Sequence, residues 1–189
     1  MYSALIVSGT EKEISLFAEI LNAASVSKII TLNSAGEARR LLLEQDFDLV
    51  IVNSPLPDES GESLSRYIAS KDISQVIFAV KSEHFNAVST VCEGDGVLAI
   101  SKPVNRDVLW SALSLAKSAG SRIKRIQAEN ARLKQKIEDI RIVDRAKWAL
   151  VSGMNLSEQE AHRFIEKQAM DIRSTRREVA DRILKTYAK

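Results

Sequence analysis

Leu49-Val50-Ile51-Val52-Asn53-Ser54-Pro55-Leu56-Pro57 decides how the front of this chain folds. Four consecutive apolar residues suit a strand covered on both faces, as in a parallel sheet. The prolines that follow cannot continue it, so the strand ends near Asn53. Runs of the same kind lie on either side: Ala4–Val7, Ile29–Leu32, Val76–Val80 and Val97–Ile100. Between them Ile14, Phe17, Ala18 and Leu21 recur at helical spacing, and Ala35–Leu43 and Gly61–Ile68 read as further helices. Glu93-Gly94-Asp95-Gly96 reads as a turn ahead of the fifth strand. Strands alternating with helices predict an α/β domain over residues 1–117, a five-stranded parallel sheet with helices on both faces.

From about Asn105 to the C-terminus there is no proline, and Gly120 is the only glycine before Gly153. A heptad fits this stretch with Ala116, Ile123, Asn130, Ile137 and Asp144 at a positions, and Ala119, Ile126, Leu133, Ile140 and Lys147 at d positions. The apolar seam is good from Ile123 to Ile140. Asn130 at a central a position favours a parallel, in-register pair at some cost in stability. Glu129 at g would meet Lys134 at e of a second copy, whereas Lys136 facing Arg141 is unfavourable. Residues 118–140 therefore predict a coiled-coil dimerisation helix, with Ile123, Ile126, Asn130, Leu133, Ile137 and Ile140 as its contacts.

Residues 141–189 predict a small all-α module. Its first helix continues the long one through Val151, and Ser152-Gly153-Met154-Asn155 breaks it. Ser157 with Glu160 fits a capping box opening a second helix, with Ala161, Phe164, Ile165, Gln168 and Ala169 inward. Thr175 with Glu178 fits another, opening a third helix with Val179, Ile183 and Leu184 inward. Charge is distributed unevenly. Residues 1–117 hold 10 Lys/Arg against 15 Asp/Glu, residues 118–140 hold 6 against 3, and residues 141–189 hold 11 against 7. An acidic front and a basic rear direct any polyanion to the rear.

The 45% hydrophobic and 28% charged composition is that of a globular chain rather than a disordered one. Cys92 is the only cysteine, which excludes an internal disulfide, and no Cys/His cluster suggests a zinc site. No apolar run has the roughly 18 residues that span a bilayer, and no basic-then-apolar leader opens the chain. A cytoplasmic protein without membrane contact is expected. No activated nucleophile or paired carboxylate is apparent, so no catalytic residue, cofactor or metal is assigned.

Two resemblances sharpen this reading. Residues 1–117 resemble a response-regulator receiver domain of flavodoxin-like fold, through Leu56-Pro57 followed by Gly61 and Lys102-Pro103 directly after the fifth strand. The resemblance implies a cis Lys-Pro bond and a lysine that contacts a phosphorylated aspartate. The chain departs from the family at the chemistry itself. Asn53 stands at the phosphoacceptor position, and an amide oxygen is a poor nucleophile. Ser8-Gly9 replaces the acidic pair that holds magnesium, Val80 replaces the switch Thr/Ser, and Ala99 replaces the aromatic of the fifth strand. A pseudo-receiver is expected, with Lys102 hydrogen-bonding Asn53. Asp58 and Glu11, the loop acids nearest the pocket, are read as solvated surface.

The C-terminal series Arg145-Ala146-Lys147, Leu156-Ser157-Glu158-Gln159-Glu160-Ala161, Gln168-Ala169-Met170-Asp171 and Arg176-Arg177-Glu178-Val179-Ala180 resembles ANTAR modules. That resemblance, from about 138 to 186, implies a three-helix bundle that binds RNA stem-loops in leader transcripts and opposes terminator hairpins. Arg145, Lys147, Lys167, Arg173, Arg176 and Arg177 are the expected RNA contacts, the last three flanking a helix N-terminus that also favours an anion. Trp148 stands where the family has a small residue, Asn155 replaces a frequent Gly, and His162 replaces an aromatic. Trp148 is expected in the core or the dimer seam, with a stacking platform as the alternative. Some relatives, the amidase antitermination regulators, are controlled by a sequestering partner protein, a mode this receiver would suit. A DNA-binding regulator and a protein-interaction adaptor remain open as alternatives, although no helix-turn-helix pattern is visible.

Overall fold

The computed structural model describes residues 2–187. The chain divides into two compact units, Met1–Lys124 and Arg125–Lys189. In chain order the first holds β1 (Ser3–Ser8), α1 (Glu11–Ala23), β2 (Lys28–Leu32), α2 (Ala35–Glu44), β3 (Leu49–Asn53), α3 (Glu62–Ala69), β4 (Gln75–Lys81), α4 (Ser82–Gly94) and β5 (Val97–Lys102). α5 (Arg106–Met154) runs from the first unit into the second, and α6 (Glu158–Asp171) and α7 (Arg176–Tyr187) complete the chain.

All strand pairs are parallel, in the order β2-β1-β3-β4-β5. Because side chains alternate across a strand, each central strand feeds two cores. Ala4, Ile6, Leu49, Ile51, Ile77 and Ala79 meet Phe17 and Leu21 of α1 and Leu109, Ala112 and Leu113 of α5. Leu5, Val7, Val50, Val52, Phe78 and Val80 meet Ala38 of α2, Leu64 and Ile68 of α3, and Cys92 of α4. This doubly covered sheet is the expected α/β fold. It also explains the unbroken apolar runs of the central strands: β1, β3 and β4 are covered on both faces.

Gly61 is required where α3 begins. Its φ is +86°, and a Cβ there would sit 2.9 Å from Val52 Cγ1 and 3.3 Å from Phe78 Cε2. The segment read as a turn before β5 differs in detail. α4 occupies Ser82–Gly94, so Glu93 and Gly94 are helical and only Asp95-Gly96 turns, with Gly96 at φ +75°.

In the second unit Ile142, Ala146 and Leu150 of α5 bury against Ala161, Ile165 and Ala169 of α6 and Val179, Ala180 and Ile183 of α7. α5 continues three residues past Val151, through Ser152 and Gly153, and stops where Asn155 turns left-handed at φ 55°. The capping box at Ser157 is present: Glu160 N donates to Ser157 Oγ at 3.3 Å, and Ser157 N donates to Glu160 Oε2 at 2.8 Å. The Thr175–Glu178 pair is equally reciprocal, at 3.2 and 3.0 Å. Of the expected α6 stripe, Phe164 and Gln168 are only half-buried. No described helix is long and apolar enough to cross a membrane.

Candidate nucleic-acid interface and the receiver pocket

The carboxyl ends of β1, β3 and β5 bring Ser8, Asn53 and Lys102 to one edge of the sheet, where α/β folds place their sites. Ser8 and Asn53 are register partners and both are buried. Gly9 lies beneath Pro57, whose Cδ would be 3.1 Å from a Cβ at position 9. Val80, at the end of β4, is buried in the apolar layer with α2, α3 and α4 and offers no hydroxyl. The Lys102-Pro103 bond is cis, as the resemblance implies, and so is Ser54-Pro55.

Glu13 is the group that sequence reasoning missed. It reaches the pocket from the first turn of α1, with Oε2 accepting from Asn53 Nδ2 at 2.9 Å and from the Thr10 hydroxyl. Its Oε1 accepts from Lys102 Nζ at 3.1 Å. Asn53 Nδ2 also donates to Ser8 Oγ at 2.9 Å. Lys102 therefore does not bond Asn53; its second acceptor is the Ser54 carbonyl at 2.6 Å. The reason is electrostatic: an ammonium prefers a carboxylate to a neutral amide. A carboxylate can only accept, so the amide turns its nitrogen to Glu13 and its Oδ1 is left buried without a hydrogen-bond partner. With an aspartate at 53, two carboxylates would meet at this distance and repel.

The magnesium that receiver domains use does not fit these residues. Proteins usually hold magnesium through one or two carboxylates, and both oxygens of the Glu13 carboxylate already accept from Lys102, Asn53 and Thr10. Among the described residues no group of three or more His, Cys, Asp or Glu is placed to hold a metal. Asp58 is not idle surface. It accepts from the backbone N–H groups of Ala35 and Gly36, both at 2.9 Å, and caps α2, which holds its carboxyl below the ordinary range.

In the second unit, Lys147, Arg176 and Arg177 come together around an open groove of about 630 Å³ between α5, α6 and α7. Lys136, Asp139, Asp144 and His162 share its rim, and Ile140 and Val143 form an apolar part of its lining. Several of these cations already have partners. Lys147 Nζ lies 2.8 Å from Asp144 and 3.3 Å from Glu158, contacts that hold its pKa above the ordinary value, the Asp144 hydrogen bond foremost. Arg177 pairs with Asp139, which also accepts from Gln135 Nε2 at 2.8 Å, and Arg176 lies 3.1 Å from Glu166. Arg145, Lys167 and Arg173 are exposed and line no part of this groove, with Arg173 at φ 51° in the turn after α6.

The N-terminus of α7 departs from expectation as an anion site. Glu178 Oε2 accepts from Thr175 N and the Ser174 hydroxyl, so the chain supplies its own anion there. His162 is half-exposed beside Glu166 at 3.3 Å, as expected of a helix-surface residue. Trp148 is 70% exposed and belongs to no core of its own chain. Sequence reading missed Lys136 as a rim cation because it assigned that position to the helix between the modules.

Comparison with known proteins matches these regions separately. Residues 4–114 match the response regulator receiver domain, and residues 131–184 match the ANTAR domain. The chain is 30% identical over 139 residues to transcriptional regulatory protein PdtaR of two Mycobacterium tuberculosis strains, covering 74% of this chain and 68% of that protein. Among solved structures, the signal receiver domain of an HD domain-containing protein from Pseudomonas fluorescens Pf-5 is similar at TM-score 0.57 and 20% identity, over 66% of this chain and 92% of that one. Chemotaxis response regulator CheY4 of Vibrio cholerae gives 0.53 and 17%, over 61% and 98%. At such identities these structures speak to the fold alone.

Proposed function

Because this chain belongs to the response-regulator family and carries an ANTAR domain, we propose that it is an RNA-binding transcription antitermination regulator whose receiver works without phosphorylation. The observation that carries this reading is the cation-rimmed groove of the ANTAR domain, where Lys136, Lys147, Arg176 and Arg177 stand around Val143. Unpaired bases of a stem-loop offer π-faces and hydrogen-bonding edges to such a surface, while the sugar-phosphate backbone takes the cations. Arg145, Lys167 and Arg173 extend the positive field beyond the groove.

The regulator acts as a homodimer joined through residues 118–140. Ile123, Ile126, Leu133, Ile137 and Ile140 are all exposed along α5, and an apolar stripe at heptad spacing is buried by pairing with a second copy. Residues 1–117 regulate and residues 141–189 bind leader-transcript stem-loops. Input to the receiver is something other than a phosphoryl group, since Glu13 and Lys102 pair where one would go, and a regulatory protein or a small molecule could supply it.

Hairpin RNA is expected to bind more tightly than duplex DNA at matched salt, with an affinity that falls as salt rises. Tighter binding of duplex DNA would overturn the assignment. Acetyl phosphate with magnesium is expected to leave the intact mass unchanged; a stable phosphoryl adduct on the receiver would refute phosphate independence. Ile126→Glu with Leu133→Lys is expected to give monomers by light scattering.

A further inference from the structure

We propose that Trp148 is a stacking platform for one unpaired base of the bound RNA, an inference that rests on the RNA-binding reading above. Trp148 is the bulkiest side chain on the surface of the second unit, and 70% of it is open to solvent. Helical periodicity puts Arg141, Arg145 and Trp148 on one face of α5, at i, i+4 and i+7. Both arginines are exposed. Arg145 has no ion-pair partner among the described residues, and the contact of Arg141 with Glu138 is a loose 3.9 Å. A π-face beside two available guanidinium groups is the arrangement that binds a base and its flanking phosphates together.

The shape beside the indole supports the same occupant. Trp148, Val151 and Leu156 line a groove of about 530 Å³ together with Asp144, Lys147, Ser157 and Glu158. The carboxylates of Asp144 and Glu158 repel phosphate from this groove and leave acceptors for the amino or imino edge of a base. Phosphate is directed instead to Arg141 and Arg145.

A second copy of the chain is the competing occupant, and the register argues against it. The heptad positions just before Trp148 are Asp144 at a and Lys147 at d. These two are tied to each other at 2.8 Å, and Lys147 to Glu158 at 3.3 Å, within one chain. Trp148 falls at e, beyond the last apolar seam residue, Ile140. The seam has ended before the indole begins.

The test uses the full chain carrying Trp110→Phe, which leaves Trp148 as the sole tryptophan of two. The probe is a hairpin selected from a random-loop RNA pool. Binding is expected to quench the Trp148 emission. Trp148→Ala is expected to weaken affinity about 5- to 100-fold with an unchanged salt slope, because stacking carries no charge. Trp148→Phe retains most of the affinity, and all three variants keep the parent's mass by light scattering and its circular dichroism. Binding without quenching overturns the proposal, as does Trp148→Ala binding like the parent. A Trp148→Ala monomer assigns the residue to the dimer seam. A parent chain that yields no binding hairpin from the pool overturns the RNA reading itself, an outcome distinct from the other three.

Discussion

The receiver pocket and the ANTAR groove both gather charged side chains, yet they treat charge in opposite ways. In the pocket, Lys102, Asn53 and Thr10 turn inward on the single carboxylate of Glu13, while Ser8 accepts from Asn53 and the Ser54 carbonyl accepts from Lys102. In the ANTAR groove the acids pair with some cations and leave others exposed around an apolar lining. In the pocket Asn53 Oδ1 is left unmatched, and the remaining bonds hold the carboxyl ends of β1, β3 and β5 to the start of α1. Cations held beside open apolar surface suit the polyanion proposed for this groove. The chain has the architecture of a receiver domain with its pocket lysine paired to Glu13, and carries a charged groove in its other unit.

This contrast can be broken by substitution. The largest effect is expected from Asn53→Asp, which removes a donor to Glu13 and sets two carboxylates together in a buried site. Receiver stability by urea titration should fall by about 2–3 kcal/mol. Adding Glu13→Gln should recover much of it, since a neutral amide can donate to the new carboxylate. Hairpin affinity measured under folding conditions should scarcely change in either variant. Next in size, Arg176→Ala should lower hairpin affinity about tenfold and reduce the salt slope by about one unit, with stability nearly unaffected because its partner Glu166 is solvent-exposed. An unchanged salt slope would remove Arg176 from the interface.

Ser157→Ala removes the side-chain cap of α6 and should cost the C-terminal module about 1 kcal/mol in thermal or denaturant unfolding. The smallest effect is in pH. Glu160, bonded chiefly by the Ser157 hydroxyl, and Glu178, bonded chiefly by the Ser174 hydroxyl, titrate below the ordinary glutamate value of 4.5. A carboxyl whose pKa is lower folded than unfolded adds stability above the unfolded value and loses it as pH falls through the folded one. Module stability should therefore be flat above about pH 5 and decline below the ordinary glutamate range. Glu178→Gln should flatten that decline; a profile unmoved by the substitution would dissociate the cap from acid sensitivity.

Much of this was legible in the chain. Apolar runs of four or five residues announced the strands, because a strand covered on both faces has no polar side to show. Ser157-Glu160 and Thr175-Glu178 announced two helix starts, because capping is a contact across three residues. The departures from the receiver pattern at Ser8, Asn53 and Val80 could be read directly, because they lie in the residue types themselves. Glu13 escaped notice because its role depends on the turn of α1 that carries it across to β3 and β5, a contact 40 residues from Asn53 and 89 from Lys102. For Trp148 the sequence favours core or seam because hydrophobic character alone favours burial, whereas its 70% exposure follows from which helix face α6 and α7 leave uncovered.

By itself, then, the sequence determined the order of strands and helices, the caps, the heptad stripe and the absence of a nucleophile at position 53. Each of these is set by the character of a residue or by spacing within a few turns. Only tertiary structure decided that Glu13 rather than Asn53 receives Lys102, that Glu158 reaches Lys147, that Asp139 holds Arg177, and that Trp148 faces water. Those choices depend on side chains meeting across elements, where an ammonium takes a nearby carboxylate over an amide and an indole stays exposed when no neighbour covers it.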